Sequence, residues 1–217
     1  MVRAILFDID ETLLSERPLV MFMLPLVYDE LSRRLGISRM EARNIFLSEI
    51  EKKRGTYEWH DWNYFFRKFN LPFRYEDFLI GYPEKIEVLP GVKETLEDLK
   101  GRYKLGIVTS GPRYQVLKLK ISGILKYFDV VITRDDVGTV KPDPRIFIAA
   151  LSKLKVHPKD AVMVGDNLEQ DIFGAKALGM RTVWINRRKI EKSYNLPDFE
   201  IYSISQLVEV LEDEGDI

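Results

Sequence analysis

The chain of 217 residues contains no cysteine and only two histidines, His60 and His157. Without cysteine it can form no disulfide, thiolate metal site or iron–sulfur cluster, and it has no cysteine nucleophile. Two histidines and the lack of an HExxH pattern argue against a zinc site built mainly from histidine. Any nucleophile or metal site must therefore be built from other side chains.

The chain also lacks an excess of charge of either sign and any long hydrophobic run. Its 33 Lys and Arg residues balance 34 Asp and Glu residues, which gives no broad basic field for nucleic acid. The first apolar run stops at Asp8, far short of a signal-peptide core. The longest run, residues 18–27, is interrupted by Pro25, whereas a membrane span needs about 20 residues. We therefore expect a cytoplasmic protein that binds neither nucleic acid nor a membrane.

The residues that are present are typical of a globular protein with a substantial core. Hydrophobic residues make up 46% of the chain and aromatic residues 12%, and the length fits one large domain or one domain with an insertion. The cysteine-free composition, with 31% charged residues and only three glutamines, is typical of a thermophilic source.

Short apolar runs alternate with helical patterns along most of the chain. The predicted strands are Val2–Phe7, Leu105–Val108, Val130–Ile132, Ala161–Val164 and Thr182–Ile185. Helical spacing follows Gly91, begins again at an Asp143 N-cap with Pro144 in the first turn, and ends before Gly179. This alternation predicts an α/β fold with a doubly wound, mostly parallel, Rossmann-like sheet.

Residues 15–88 break the alternation. Ser38 and Glu41 form a capping box at the start of one predicted helix, and four aromatic residues at helical spacing follow between Trp62 and Phe69. These aromatic residues are expected to form a local core, and no strand or repeat is evident. We therefore expect an all-helical insertion at 15–88 within a catalytic core formed by 1–14 and 89–217.

The segment DIDET, residues 8–12, directly follows the first predicted strand. Because sites in open parallel sheets gather at the carboxyl ends of strands, its two aspartates can converge on one site. A calcium loop is one alternative, but an EF-hand needs glycine and glutamate at the positions that Leu13 and Leu19 occupy. A simple polar turn is the other interpretation of this segment taken alone.

Three further polar signals follow predicted strands. They are Thr109–Gly111, then Lys141–Pro144 at the start of a helix, then Gly165–Asn167 with Asp171 one turn later. Each alone could be a helix cap or a solvated charge. Together with the first segment, their order on one alternating frame indicates a shared site.

The four signals together resemble the motifs of the haloacid dehalogenase (HAD) superfamily, and the resemblance covers nearly the whole chain. That family carries DxDxT after the first strand, a strand ending in Thr or Ser, a lysine often written KPDP, and GDxxxxD. The matching residues are Asp8, Asp10, Thr12, Thr109, Lys141, Asp166 and Asp171. The resemblance implies that the insertion is a helical C1 cap.

The resemblance also implies a mechanism of phosphoryl transfer. Asp8 would be the nucleophile that forms an aspartyl-phosphate, and Asp10 would protonate the leaving group and then activate water. Mg²⁺ would be the cofactor, bound by Asp8, the main-chain carbonyl of Asp10 and Asp166. Asp171 and Asn167 would orient these groups. The implied phosphate-binding groups are Thr109, Lys141 and the main-chain N–H groups near Ile9, Ser110 and Gly111.

The residue at position 10 and the cap narrow the expected activity. Family dehalogenases resemble this fold but place a non-acidic residue where Asp10 stands, so Asp10 favours phosphate esters. Caps of this kind close over small substrates, and we expect a sugar phosphate, a phosphoglycolate-like acid or a nucleotide. The cap residues that could contact it are Arg17, Arg54, Trp59 and His60.

Two other functions stay open at this point. A phosphomutase of similar fold would share the first half-reaction, and sequence separates it poorly from a phosphatase. A non-enzymatic phosphate-binding or regulatory protein is the other alternative, although the intact catalytic positions argue against it. The basic run Arg187–Lys189 is expected to be a solvated loop, and the protein is expected to be a monomer or a homodimer.

Overall fold

The computed structural model describes residues 1–191 and 196–213. The chain divides into two compact units. The larger combines residues 1–15 with 88–217, and the smaller is the continuous segment 16–87. No helix in the described part of the chain has the length and hydrophobicity of a membrane span.

The larger unit is built on a six-stranded parallel sheet. The strands of the described residues are β1 (Ala4–Phe7), β2 (Leu14–Ser15), β3 (Glu87–Val88), β4 (Lys104–Thr109), β5 (Val130–Thr133), β6 (Ala161–Gly165), β7 (Arg181–Ile185) and β8 (Phe199–Ile201). The order across the sheet is β5-β4-β1-β6-β7-β8, and each neighbouring pair is parallel. This confirms the predicted α/β class.

Helices connect these strands and form the smaller unit. The α-helices of the described residues are α1 (Arg17–Leu35), α2 (Arg39–Lys52), α3 (Trp62–Lys68), α4 (Tyr75–Gly81), α5 (Val92–Leu99), α6 (Tyr114–Ile121), α7 (Arg134–Val137), α8 (Pro144–Leu154), α9 (Gly174–Ala177) and α10 (Leu207–Asp213). A π-helical turn at Leu168–Phe173 leads into α9.

The central strand β1 explains why the sheet is covered on both faces. All four of its residues are fully buried. Leu6 joins a cluster with Ile146 and Phe147 of α8, whereas Ile5 and Phe7 alternate with it and point to the opposite face. Because β1 is also the third of the six strands, the residue after Phe7 lies near the middle of the carboxyl edge of the sheet.

The smaller unit is helical in its interior and has an aromatic core. Ser38 and Glu41 form the expected capping box at the start of α2, and Asp61 accepts a hydrogen bond from the Tyr64 N–H to cap α3. Phe46 of α2 makes edge-on contact with Phe65 of α3, with ring centroids 6.1 Å apart. These aromatic residues are core residues of this unit, as their spacing predicts.

Several element boundaries differ from the prediction. No strand is expected between residues 15 and 88, whereas Ser15 and Glu87–Val88 are in strand conformation at its two edges. Strand β8 is not predicted because its three residues include a half-buried Glu200 and provide no apolar run. The short helix α7 separates β5 from Lys141, so the loop carrying this lysine does not follow the strand directly.

Candidate active site

Asp8 is the first residue beyond β1, and the ends of three strands surround it. Its main-chain N–H donates to the Val164 carbonyl of β6 at 3.0 Å, which fixes the backbone at the sheet edge. Its carboxylate accepts hydrogen bonds from the Lys141 Nζ and from the main-chain N–H of Ile9. The side chain is largely buried, so the protein replaces most of its hydration with these donors.

Lys141 holds two carboxylates at once. Besides Asp8, its ammonium group contacts Asp171 Oδ1 at 2.7 Å. Burial by itself favours the neutral amine, but the charges of Asp171 and Asp8 outweigh it and hold the pKa of Lys141 above its usual range. Lys141 therefore supplies a permanent positive charge inside the protein.

Three carboxylates converge at this edge of the sheet. One oxygen from each of Asp8, Asp166 and Asp171 lies within 4.8 Å of the others, a group that could hold a metal ion. Burial, followed by repulsion from Asp8 and Asp171, raises the pKa of Asp166 to about 8. Burial also raises the pKa of Asp8, with Asp171 adding to the shift and Lys141 opposing it. Such a cluster is costly to ionise unless a cation neutralises it.

The loop after β6 is shaped to bring Asp171 back to this cluster. A Cβ on Gly165 would lie 2.2 Å from Asp171 Oδ2, so only glycine leaves room for the carboxylate. The Asn167 N–H donates to the same Oδ2 at 3.0 Å. The Asn167 side chain caps the following turn, since its Oδ1 accepts from the N–H groups of Glu169 and Gln170. Asn167 thus orients Asp171 through its backbone.

The loop after β4 contributes hydroxyl groups beside Lys141. The Ser110 Oγ accepts from the Lys141 N–H at 3.1 Å and donates to Gln170 Oε1 at 3.3 Å. The Gly111 N–H, expected to bind phosphate, donates to Thr109 Oγ1 at 3.0 Å in this structure. The structure therefore brings Thr109, Ser110 and Lys141 together, and the Gly111 N–H is already donated to Thr109.

The side chain of Asp10 faces a different set of partners from that of Asp8. Lys118 donates to its Oδ1, and Gln115 Nε2 donates to its Oδ2 at 2.9 Å. Sequence analysis did not identify either residue of α6. No sequence signal marks either residue, because a glutamine and a lysine three residues apart on one helix face are typical of a solvent-exposed position.

Arg187 corrects the expectation of a solvated basic loop. It is half-buried, and its guanidinium donates to the main-chain carbonyls of Glu11 and Thr12, the latter at 3.0 Å. Glu11 has a positive φ of 56°, so this turn is one that non-glycine residues seldom adopt. Its neighbour Arg188 is exposed, as expected. Arg187 thus holds the turn directly after Asp10.

The structure places the predicted substrate contacts of the smaller unit in two groups. Arg54 lies over the Trp59 ring, 5.3 Å from its centroid, and the rings of Trp59 and His60 are 4.6 Å apart. Arg54 also pairs with Glu51 through two hydrogen bonds of 2.7 and 2.8 Å, so its charge is already neutralised. Arg17 is the exposed first residue of α1.

Comparison with known proteins gives consistent matches across the chain. A family model described as haloacid dehalogenase-like hydrolase matches residues 2–179. A curated relative, the glyceraldehyde 3-phosphate phosphatase of Pyrococcus abyssi, is 33% identical over 99% of this chain and 96% of its own length.

Two solved structures extend the comparison to three dimensions. A HAD phosphatase from Thermococcus onnurineus is 56% identical, with a TM-score of 0.94 over 97% of this chain and 98% of its own. A 2-haloacid dehalogenase from Pseudomonas syringae pv. tomato is 28% identical, with a TM-score of 0.75 over 99% of this chain and 100% of its own. The phosphatase relatives come from thermophiles, in agreement with the composition.

Proposed function

The chain belongs to the haloacid dehalogenase-like hydrolase family and is a phosphatase of that family, and from this premise we propose that it hydrolyses a small phosphorylated metabolite with Mg²⁺ through a phosphoryl group carried on Asp8. Within that class a three-carbon sugar phosphate is the first candidate. Relatives that are 31–33% identical and covered over at least 95% of their length are named glyceraldehyde 3-phosphate phosphatases.

One observation carries the proposal: the largely buried Asp8 carboxylate is held from one side by Lys141 and faces two further carboxylates. A carboxylate repels an anionic phosphate ester, so nucleophilic attack requires fixed positive charge close to both groups. Lys141 supplies one such charge and the acidic cluster is suited to binding another. An ordinary structural ion pair needs neither the strand-end position nor the additional acids.

The residues present fit Mg²⁺ by their chemistry. The donors are carboxylate oxygens, which Mg²⁺ prefers, and the raised pKa of Asp166, about 8, reflects crowding of negative charge that a cation relieves. Asp8 and Asp166, with the main-chain carbonyl of Asp10, would hold the ion. Asp171 is engaged by Lys141 and would orient the site. When bound, Mg²⁺ neutralises charge on the transferring phosphoryl group.

The proposed reaction has two steps that share Asp10. In the first, an oxygen of Asp8 attacks phosphorus, the bond to the leaving oxygen breaks, and Asp10 gives that oxygen a proton. In the second, Asp10 takes a proton from water as the water attacks phosphorus, and the carboxylate of Asp8 is released with inorganic phosphate. Lys141 and the Thr109 hydroxyl stabilise the charge on the phosphoryl oxygens in both steps.

The smaller unit is proposed to supply substrate selectivity. Trp59 is the best candidate of the four residues, because the charge of Arg54 is already paired with Glu51. The His60 ring lies beside that of Trp59 and would act with it, and Arg17 at the start of α1 would add positive charge. Replacing Trp59 by alanine should change the ranking of substrates by KM while leaving their order of kcat intact.

A panel of phosphorylated metabolites assayed for phosphate release with Mg²⁺ tests the proposed function. Glyceraldehyde 3-phosphate and other small sugar phosphates should be turned over, and EDTA should abolish the reaction. Asp8→Asn should abolish turnover, whereas Asp98→Asn, at an exposed aspartate of α5, should not. Full activity in the Asp8→Asn protein, or no turnover of any ester with Mg²⁺, would contradict the proposal.

A further inference from the structure

We propose that Lys118 and Gln115 are positioning residues for the acid–base group Asp10, and that they control the rate of the leaving-group step through it. This inference rests on the proposed function, in which Asp10 gives a proton to the leaving oxygen. Neither residue belongs to the four motifs that carry the resemblance to the family. Both come from α6, the helix that follows the β4 loop.

The geometry fixes both oxygens of the Asp10 carboxylate. Lys118 donates to Oδ1 and Gln115 donates to Oδ2 at 2.9 Å. The two donors stand three residues apart on one face of α6, so a single rigid element holds the group. Rotation of the carboxylate would break at least one of these contacts, and its orientation is therefore restricted.

The burial of these residues indicates that the contact is more than a surface ion pair. Lys118 is fully buried and Gln115 is 3% exposed, whereas the Asp10 side chain keeps 33% of its surface exposed. A buried ammonium group is costly unless a carboxylate accompanies it. The open side of the pair is thus the carboxylate, the group that must reach a substrate.

Two further observations show that the fold makes room for this arrangement. A Cβ on Gly111 would lie 2.4 Å from Gln115 Nε2 and 2.5 Å from Gln115 Cγ, so glycine is needed there for the amide to occupy its position. Among the described residues, the buried Gln115 Oε1 has no hydrogen-bond partner. The Gln115 amide therefore donates to Asp10, while its acceptor oxygen has no hydrogen-bond partner among the described residues.

The consequence for catalysis depends on the leaving group. An alkoxide leaving group needs a well-placed proton donor, whereas p-nitrophenolate leaves without one. The value of kcat/KM reports the first step, in which the leaving group departs. A misplaced Asp10 should therefore reduce kcat/KM for an alkyl phosphate and leave that for p-nitrophenyl phosphate nearly unchanged.

Lys118→Met tests this expectation, since methionine has similar length and no charge. We expect kcat/KM for glyceraldehyde 3-phosphate to fall about 100-fold, the scale of a displacement of roughly 1 Å in a catalytic group. The fall for p-nitrophenyl phosphate should be several-fold at most. Lys118→Arg should recover most of the loss, and Gln115→Met should show a smaller loss with the same leaving-group dependence. Lys120→Met, at an exposed position of the same helix, is the matched control.

The Asp10→Asn protein separates failure of this inference from failure of the proposed function. It should show the same leaving-group dependence, and adding Lys118→Met to it should reduce kcat/KM no further. If Asp10→Asn itself lowers kcat/KM equally for both substrates, the proposed role of Asp10 is wrong. Asp10→Asn could instead lower kcat/KM for the alkyl phosphate alone, while Lys118→Met and Gln115→Met lower kcat/KM equally for both substrates or for neither. In that case Lys118 and Gln115 do not position Asp10. Thermal unfolding of each variant checks folding, and Gln115→Met decides the matter if Lys118→Met does not fold.

Discussion

Charged residues serve different purposes in the two units of this chain. In the smaller unit they pair on the surface, as Glu30 does with Arg33 and Arg34 along α1. In the larger unit Lys141 and Asp171 are buried together beside Asp8 at the end of a strand. Surface pairs are cheap to form and stabilise little, whereas buried charges are costly and need a reason to be retained.

The pKa values express the same difference. Hydrogen bonds from Arg33 and Arg34 lower the pKa of Glu30 to about 2, so its partners favour the charged carboxylate. Burial and two neighbouring carboxylates raise the pKa of Asp166 to about 8, so its surroundings oppose the charge. A group of acids held together against such a cost is typical of a functional site, and here it lies at the carboxyl ends of parallel strands.

The largest contrast is expected between Lys141→Met and Lys68→Met. Lys141→Met leaves Asp8 and Asp171 buried without their cation, which should cost about 3–5 kcal/mol of stability and lower kcat on the order of 100-fold or more. Lys68 pairs with Glu49 on the surface of the smaller unit, and its loss should leave kcat unchanged. Denaturant unfolding measures the stability of each variant, and phosphatase assays measure its kcat. Equal effects in the two variants would contradict the difference between buried and surface charges.

The next effect concerns pH and Mg²⁺. Because the folded pKa of Asp166, about 8, lies above its ordinary value of 3.8, ionisation opposes folding. The metal-free protein should therefore be most stable below pH 4 with respect to this group and lose that stability as pH rises through 8. We expect Mg²⁺ to raise Tm more at pH 8 than at pH 5, and Asp166→Asn to flatten both dependences. A Tm gain from Mg²⁺ that is equal at the two pH values would contradict this.

A smaller effect is expected at Arg187, which holds the turn after Asp10. Lysine cannot donate to the Glu11 and Thr12 carbonyls as a planar fork does, so Arg187→Lys should lower kcat about tenfold, with little change in KM. Arg188→Lys, at the exposed neighbouring position, should match the unmodified protein. Equal kinetics for the two variants would show that Arg187 contributes no more to catalysis than a solvated basic residue does.

The smallest effect is expected at Glu30. Glu30→Gln removes two exposed ion pairs of α1 and should lower Tm slightly at neutral pH and low salt. The difference should vanish at high salt, where exposed charges are screened, and also as pH falls through about 2, where Glu30 takes up a proton. A large loss of Tm that does not depend on salt would contradict this account, because it would show that the two ion pairs act as buried charges do.

The sheet and the motif residues could be predicted because both are local. Four residues of β1 followed by Asp8 form an apolar run that ends in a charge, and parallel strands carry their polar ends to one edge. The proximity of Asp8 to Asp166 follows from that topology, whereas Asp171 reaches them through the loop that Gly165 and Asn167 shape. The Asp143 cap of α8, which accepts from the Arg145 N–H, was equally visible as a local pattern.

Lys118 and Arg187 could not be predicted in this way because their environment depends on segments far away in sequence. Lys118 meets Asp10 across 108 positions, and Arg187 meets Glu11 across 176. By composition one is a helical lysine and the other part of a basic run, both typical of solvent-exposed positions. Their burial follows from tertiary packing, which a periodic pattern does not encode.

The central claim is that Asp8 carries the phosphoryl group, and rapid acid quenching during turnover tests it most directly. Peptide mass analysis of the quenched enzyme should find the mass of one added phosphoryl group on the peptide containing Asp8. The Asp8→Asn protein should show none and release no phosphate. A phosphoryl group found on another residue during normal turnover, or undiminished phosphate release by Asp8→Asn, would contradict the account.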